Sequence, residues 1–242
     1  VDPKLAVEFC GISMKNPIVA ASGTFGFGLE YDGYLDLNTE VGAISVKGLT
    51  PTARPGNAGV RIAETPSGVL NCIGLENPGA EAFVADILPN LKQYDVPIFA
   101  NISGNTLEEY EYMANTLTVE GVAALEVNIS CPNVKCGGMA FGVQADSAAE
   151  VCKAVKAHTD LPVIMKLSPN VTDIVEIARA VEAAGADGIS MINTLLGMSV
   201  NLRTRKPLLG NIYGGLSGPA VKPVALRLTH QVAQAVDIPI MG

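Results

Sequence analysis

The feature that most constrains the fold of this chain is a regular alternation of short apolar runs with longer segments of helical periodicity. Seven runs read as strands, and their apolar residues occupy consecutive positions, as is typical of strands that are covered on both faces. These runs are Ile18–Ala21, Ala43–Val46, Ile98–Asn101, Ala124–Ile129, Val163–Leu167, Gly188–Ile192 and Ile238–Met241. The alternation indicates βαβ units and therefore a parallel sheet.

Five helices are predicted between these strands. They are Ala80–Gln93, Thr106–Glu120, Ser147–His158, Thr172–Ala184 and Val221–Val236. The fourth is the clearest, because its apolar residues Ile174, Ile177, Ala178 and Val181 recur at helical spacing and Gly185 follows as a stop signal.

Two architectures are compatible with repeated βαβ units. An open doubly wound sheet requires a glycine-rich phosphate loop that leads from the first strand into a helix. Residues 22–28 are glycine-rich, but no clear helix follows them. We therefore predict an α/β fold of the (β/α)8 TIM-barrel type, with residues 1–242 as a single domain. The seventh strand lies at the end of the sequence, so we expect this chain to lack the last βα unit.

Charge and cysteine content exclude several classes of function. The net charge is −8 and no basic cluster is present, which argues against a nucleic-acid partner. The sequence has no basic-then-apolar leader and no apolar run near the ~20 residues of a membrane span, so we expect a cytoplasmic protein without membrane contact. The five cysteines are scattered, as is typical of reduced thiols, and no metal site is predicted.

Polar residues fall at the ends of six predicted strands. They are Ser22, Lys47, Asn101, Asn128, Lys166 and Asn193. Each alone is compatible with a turn residue, but in a barrel these strand ends converge on the face that carries active sites. Because a buried ammonium needs a partner, the two lysines are expected to face an anion or an electron-rich ring.

The segment 128–133 contains the strongest single candidate for catalysis, Cys131. Proline and asparagine around it favour a structured loop, in which a thiol exchanges protons with a ligand. The alternative is a small buried core residue, the usual place of a free cysteine and the one we predict for Cys152. His158 and His230 are predicted on outer helices, which argues against a hydrolase with a catalytic histidine.

Four ordered motifs give the chain a resemblance to a known family. They are residues 128–133 (NISCPN), 68–79 (GVLNCIGLENPG), 193–194 (NT) and 214–219 (GGLSGP). Together they resemble class 1 dihydroorotate dehydrogenases from about Leu5 onward. Residues 136–142 (CGGMAFG) are more similar to the type B, NAD-linked enzymes than to the type A, fumarate-linked ones.

The resemblance implies oxidation of (S)-dihydroorotate to orotate in pyrimidine (UMP) biosynthesis, with FMN at the strand ends and Cys131 as the base. Its implied FMN-binding residues are Ser22, Lys47, Gly48, Asn101, Asn128, Lys166, Ile192 and Gly218. Its implied substrate-binding residues are Lys47, Asn71, Cys72, Ile73, Gly74, Leu75, Asn128, Asn193 and Thr194. The type B likeness also implies a partner subunit with FAD and a 2Fe–2S cluster, in a heterotetramer of two catalytic and two electron-transfer subunits.

Three alternatives remain open at this point. A fumarate-linked type A enzyme shares most of the motifs, and a dihydropyrimidine dehydrogenase shares the cysteine but reduces substrates that lack a carboxylate. A non-catalytic barrel that only binds a phosphorylated ligand is the third. Relative to the family, we expect the chain to be truncated at its C-terminus, before a further glycine-rich stretch and an eighth strand.

Overall fold

A computed structural model describes residues 3–129 and 141–242 of the chain. In chain order its strands are β1 (Val7–Phe9), β2 (Ile12–Met14), β3 (Val19–Ala20), β4 (Ala43–Ser45), β5 (Ile62–Thr65), β6 (Gly68–Asn71), β7 (Ile98–Ile102), β8 (Ala124–Asn128), β9 (Val163–Lys166), β10 (Gly188–Ser190), β11 (Leu195–Met198), β12 (Val200–Asn201), β13 (Lys206–Pro207), β14 (Tyr213–Ser217) and β15 (Ile240–Met241).

The helices fall where the sequence predicts them, with ends that differ by a few residues. They are α1 (Ala80–Ala82), continued by a π-helical segment (Phe83–Ile87) into α2 (Leu88–Leu91), then α3 (Leu107–Leu117), α4 (Ala145–Lys156), α5 (Ile174–Ala183) and α6 (Lys222–Ala233). Short 3-10 turns cover Pro3–Leu5, Leu29–Tyr31, Phe141–Val143 and Pro219–Val221. His230 lies in α6 as predicted, whereas His158 lies just beyond the end of α4. None of the helices within the described ranges is long and apolar enough to cross a membrane.

Local side-chain caps explain where two of these helices begin. Thr106 precedes α3, and its hydroxyl accepts a hydrogen bond from the Glu109 amide at 3.2 Å. Asp173 precedes α5, and its carboxylate accepts from the amides of Val175 and Glu176. The apolar stripe predicted for α5 is the face that the structure buries.

All seven predicted strands lie in one parallel sheet, in the order β3-β4-β7-β8-β9-β10-β15. The order across the sheet follows the order along the chain, as in a (β/α) barrel. Both faces are buried, because outward residues such as Leu125 and Val127 pack against the helices. The predicted parallel sheet and barrel-type architecture are therefore confirmed.

The inner face of the sheet changes in character from one end of the strands to the other. Near the amino ends, Ala43, Phe99, Ala124 and Ile164 form an apolar cluster that the β1–β2 hairpin closes with Phe9 and Met14. One layer further along, the inward residues are polar: Ser45, Asn101, Glu126, Lys166 and Ser190. The sheet therefore has a sealed apolar end and a polar end where its strands terminate.

Strong curvature of the sheet follows from the contacts of Glu126 on the central strand β8. Its carboxylate accepts hydrogen bonds from Ser45 on β4 and from Ser190 on β10, each two strands away. In a flat sheet these strands are about 10 Å from β8, because neighbouring strands are ~4.8 Å apart. One carboxylate can contact both serines only because the sheet curls around it.

A second, antiparallel sheet in the order β11-β14-β6-β5 was not predicted from the sequence. It joins two hairpin-like segments that lie about 145 residues apart, with Asn71 opposite Gly215. Its strands are short and glycine-containing, so they carry no clear alternation of apolar and polar residues. Leu70, Leu209 and Cys72 fill one face of this sheet, and the opposite face carries Asn71 and Gly215.

Candidate active site

The carboxyl ends of the parallel strands border a cavity of about 340 Å³, which the antiparallel sheet also lines. This volume lies within the range of small-molecule sites in proteins, about 300 to 1,000 Å³. The position matches the face on which barrel enzymes carry their active sites. The cavity is therefore the candidate active site.

Six of the eight residues predicted to contact the cofactor line this cavity. They are Ser22, Lys47, Gly48, Asn101, Asn128 and Lys166. Ile192 instead packs against the main hydrophobic core, and Gly218 begins a 3-10 turn against the backbone of Gly68. The structure thus brings six of the predicted cofactor residues together and places these two away from the cavity lining.

All nine residues predicted to contact the substrate line the same cavity. They are Lys47, Asn71, Cys72, Ile73, Gly74, Leu75, Asn128, Asn193 and Thr194. They come from four separate parts of the sequence, so the sequence alone does not fix their proximity. Residues 71–75 approach from the antiparallel sheet, opposite the ends of β4, β8 and β9.

The loop 71–75 is held by the side-chain amides of Asn57 and Asn77. Asn77 accepts from the amides of Thr50 and Gly79 and donates to the Thr50 hydroxyl and to the Leu75 carbonyl, with distances of 2.7 to 3.2 Å. Asn57 donates to the Cys72 carbonyl at 2.9 Å. Because Asn77 uses both donors and both acceptor positions of its amide, the loop is positioned before a ligand arrives.

Thr194 is packed against the backbone of a glycine. A Cβ atom added at Gly215 would lie 2.0 Å from Thr194 Oγ1, so this glycine is required by close approach. The Thr194 amide donates to Asn193 Oδ1 at 2.7 Å, and Asn170 Nδ2 donates to the Thr194 carbonyl at 2.9 Å. These contacts fix the backbone that carries Asn193 and Thr194 at the cavity wall.

Two lysines bring positive charge to the cavity. Lys47 follows β4, its amide donates to the Gly26 carbonyl at 2.9 Å, and its Nζ lies over the backbone of Gly23. Lys166 ends β9, its side chain is 13% exposed, and its Nζ lies 3.6 Å from Glu126 Oε2. The predicted role of these lysines toward an anion or electron-rich ring is compatible with this placement.

Burial alone would raise the pKa of the Glu126 carboxyl, which is 2% exposed. The Lys166 charge and hydrogen bonds from Ser45, Ser190 and Asn101 outweigh burial and hold this pKa below its ordinary value. Glu126 is therefore a carboxylate in the interior of the sheet. It was not singled out in the sequence, although an acid within the run Ala124–Ile129 is a signal for a partnered buried charge.

Sequence reasoning also missed lining residues that the antiparallel sheet and the first loop contribute. They are Gly23, Thr24, Ile62, Val69, Gly215 and Ser217. Ile62 and Val69 are apolar, and no periodic pattern distinguishes them from ordinary strand residues. Only the pairing of β5, β6 and β14 brings them to the cavity.

Cys131, the predicted base, lies outside the described residues, as does Cys136. The strand that leads to it is well anchored, because the Tyr110 hydroxyl donates to the Asn128 carbonyl at 2.8 Å. Cys152 is fully buried in α4, which confirms its predicted place in the core. Within residues 3–129 and 141–242, no three His, Cys, Asp or Glu side chains gather as a metal site would require.

The chemistry of the lining suits a flat, polar, anionic ligand. Asn101 Oδ1 is buried and has no hydrogen-bond partner among the described residues, so an acceptor is available at the cavity wall. A Cβ atom at Gly48 would lie 2.9 Å from this oxygen, so glycine is required there by close approach. Backbone surfaces at Gly23, Gly48 and Gly74, with two lysines, fit a flavin ring, which gains negative charge when it is reduced.

Comparison with known proteins identifies the family. A family model described as dihydroorotate dehydrogenase matches residues 4–242. The chain belongs to the dihydroorotate dehydrogenase family. It is 61% identical over 239 residues to the dihydroorotate dehydrogenase B (NAD(+)) catalytic subunit of Desulforamulus reducens, covering 98% of this chain and 78% of that protein. The subunits of the same name from Anoxybacillus flavithermus and Listeria monocytogenes are 56% and 57% identical, covering 99% of this chain and 77% and 79% of theirs. The predicted resemblance to type B members of the dihydroorotate dehydrogenase family is thus confirmed.

A solved structure supports the fold assignment within the family. The crystal structure of the dihydroorotate dehydrogenase from Eimeria tenella in complex with ferulenol superposes with a TM-score of 0.76. The match covers 99% of this chain and 73% of that one at 19% identity. At this identity the likeness bears on the barrel fold alone.

Proposed function

We propose that this chain oxidises (S)-dihydroorotate to orotate as the catalytic subunit of an NAD-linked dihydroorotate dehydrogenase in pyrimidine biosynthesis. Its relatives carry that name, and the chain is 56 to 61% identical to them. The observation that carries the proposal is the convergence of all nine predicted substrate residues and six predicted FMN residues on one cavity. A chance surface depression would not gather motifs from residues 22 to 194 in this way.

The proposed cofactor is FMN, held by Ser22, Lys47, Gly48, Asn101, Asn128 and Lys166. When bound, FMN supplies a two-electron acceptor for the hydride that leaves C6 of dihydroorotate. The chain contributes two positive charges, Lys47 and Lys166, toward the negative charge that develops on reduction. The open acceptor at Asn101 Oδ1 supports the same assignment, because an isoalloxazine ring carries an N–H donor.

The substrate residues divide the recognition of dihydroorotate between charge and hydrogen bonding. Lys47 neutralises the substrate carboxylate, and the amides of Asn71, Asn128 and Asn193 donate to and accept from the imide edge of the ring. A side chain at Gly215 would displace Thr194, so that glycine keeps the Thr194 hydroxyl in place. Held in this way, the ring would present one face to the base and the other to FMN.

Cys131 is the proposed base that removes the C5 proton, while the C6 hydride departs to the opposite side. The free thiol has an ordinary pKa of ~8.5, which makes it usable near neutral pH. Cys131 follows the anchored end of β8 by three residues. Ile62 and Val69 add apolar surface to the cavity wall.

A second subunit completes the proposed pathway of electrons. It would carry FAD and a 2Fe–2S cluster and pass electrons to NAD, in a heterotetramer of two catalytic and two electron-transfer subunits. The words "catalytic subunit" in the relatives' names support a partner of this kind.

The decisive experiment is anaerobic mixing of the FMN-loaded protein with dihydroorotate while flavin absorbance is recorded. We expect rapid bleaching, and little with dihydrouracil, which lacks the carboxylate that Lys47 neutralises. Cys131→Ala should slow bleaching by about 100-fold or more, as loss of a general base typically does. Cys152→Ala is the matched control, because that cysteine lies buried in α4 away from the cavity. Bleaching by dihydrouracil alone would overturn the choice of substrate, and no bleaching would overturn the function.

A further inference from the structure

Glu126 lies behind the cavity wall and is not itself part of the cavity lining. Its Oε2 atom accepts from Asn101 Nδ2 at 2.6 Å and from the Ser45 hydroxyl, and it pairs with Lys166 Nζ at 3.6 Å. Its Oε1 atom accepts from the Ser190 hydroxyl at 2.7 Å. Side chains from four strands, β4, β7, β9 and β10, thus converge on one buried carboxylate of β8.

The contact with Asn101 fixes which end of that amide faces the cavity. Because Nδ2 donates to Glu126, Oδ1 is left as the end without a partner among the described residues. A hydrogen-bond acceptor therefore lies at the wall beside Gly48, where a larger residue would crowd it. Without the carboxylate the Asn101 amide would be free to turn its donor end inward instead.

The contact between Glu126 and Lys166 likewise fixes the position of the lysine's positive charge. The lysine lines the cavity, but its side chain is only 13% exposed, so its ammonium has lost most of its water. An ammonium in such a place is stabilised by a carboxylate partner, and Glu126 supplies it from the adjacent strand. Glu126 also places a negative charge next to the positive charge that would face the cofactor.

We propose that Glu126 is a positioning residue for the bound flavin. It holds Lys166 Nζ at the cavity wall, sets the Asn101 amide with its oxygen inward, and lowers the reduction potential that Lys166 alone would give. The direction of this change in potential follows from charge. Reduction adds electrons to the flavin, which a nearby carboxylate disfavours and a nearby ammonium favours. This inference rests on the proposed function, because it assumes that FMN occupies the cavity.

Three variants separate the charge of Glu126 from its geometry and from its effect on stability. Glu126→Gln removes the charge but keeps the size, and Glu126→Asp keeps the charge but withdraws it by one methylene. Val151→Ala is the control, because it removes buried volume in α4 away from the cavity. Each apoprotein is titrated with FMN by fluorescence, and the reduction potential of the bound flavin is measured against a reference dye without substrate.

We expect Glu126→Gln to weaken FMN binding about tenfold, the effect of losing one charge-assisted hydrogen bond, and to raise the potential of the bound flavin. Glu126→Asp should weaken binding but keep the potential near that of the unmodified protein. Val151→Ala should lower thermal stability and change neither quantity.

Unchanged affinity and potential in Glu126→Gln would overturn the inference. If that variant does not fold, normal FMN affinity in Glu126→Asp would overturn it instead. An equal loss of affinity in Val151→Ala would also overturn it, because general loosening would then explain the effect. The unmodified protein separates the two proposals: if it binds FMN but dihydroorotate does not reduce it, the proposed function fails while the role of Glu126 is still decided by the variants.

Discussion

Lys166 and Glu126 extend from adjacent parallel strands into the interior of the sheet, where Nζ and Oε2 lie 3.6 Å apart. The pair sits one layer above a closed apolar cluster, with Lys166 in the lining of the ligand cavity and Glu126 behind it. Removing one partner of such a buried pair is strongly destabilising, because the other charge remains in the interior. A substitution in this pair is therefore expected to lower the stability of the fold as well as to alter the ligand cavity.

Glu126→Gln should lower the free energy of unfolding by about 3 kcal/mol near neutral pH. The pKa of Glu126 is depressed in the folded protein. The ionised carboxylate therefore stabilises the fold at pH values above the unfolded pKa of ~4.3, and this stabilisation is lost as the pH falls through the folded pKa. The stability difference between the unmodified protein and Glu126→Gln should therefore shrink as pH is lowered below ~4.3. Urea unfolding of both proteins from about pH 7 to about pH 3 measures it. A stability difference that does not change with pH would contradict the assignment of Glu126 as an ionised buried carboxylate.

Gly215→Ala should weaken the binding of dihydroorotate. A Cβ atom at this position would lie 2.0 Å from Thr194 Oγ1, so the threonine must move. We expect KM for dihydroorotate to rise by about tenfold to 100-fold, the effect of a displacement near 1 Å at a positioned group. Gly197→Ala is the matched control in the neighbouring strand, because the closest atom to an added Cβ would be the flexible end of Leu70, at 3.1 Å. Equal KM values in the two variants would show that Thr194 does not contact substrate.

Asn77→Ala should loosen the loop 71–75 while leaving the barrel folded. The side chain makes four hydrogen bonds to Thr50, Leu75 and Gly79, and its removal leaves these buried donors and acceptors without partners. We expect a loss of about 2 kcal/mol in stability and faster amide exchange confined to this loop. Hydrogen exchange read by mass spectrometry tests this, with the exposed Asn90→Ala as control. Unchanged exchange in the loop would refute the anchoring role.

Cys10 and Cys152 should resist alkylation in the folded protein. Burial, with the Asp187 charge, raises the pKa of the Cys10 thiol to about 12, and burial is likewise the main reason that the Cys152 pKa is about 12. At about pH 8 such thiols are about one part in ten thousand thiolate, the reactive form. Peptide mapping after iodoacetamide treatment should show both residues labelled only after unfolding. Labelling of Cys152 in the native protein would contradict its place in the core.

The sequence by itself determined the parallel sheet and most of the site. Apolar runs and helical spacing are local signals, so the seven strands and the α5 helix could be read without tertiary contacts. Strand-end residues such as Lys47 and Lys166 were predictable for the same reason, because barrel topology brings strand ends to one face.

Tertiary structure alone decided how the cavity is closed and what supports it. The antiparallel sheet pairs Asn71 with Gly215 across 144 residues, and no local pattern specifies such a partner. The role of Glu126 likewise depends on curvature, which brings Ser45 and Ser190 to one carboxylate from strands on either side. The physical reason is common to both: strand formation depends on nearby residues, whereas register between distant strands and the curl of a sheet depend on the packing of the whole chain.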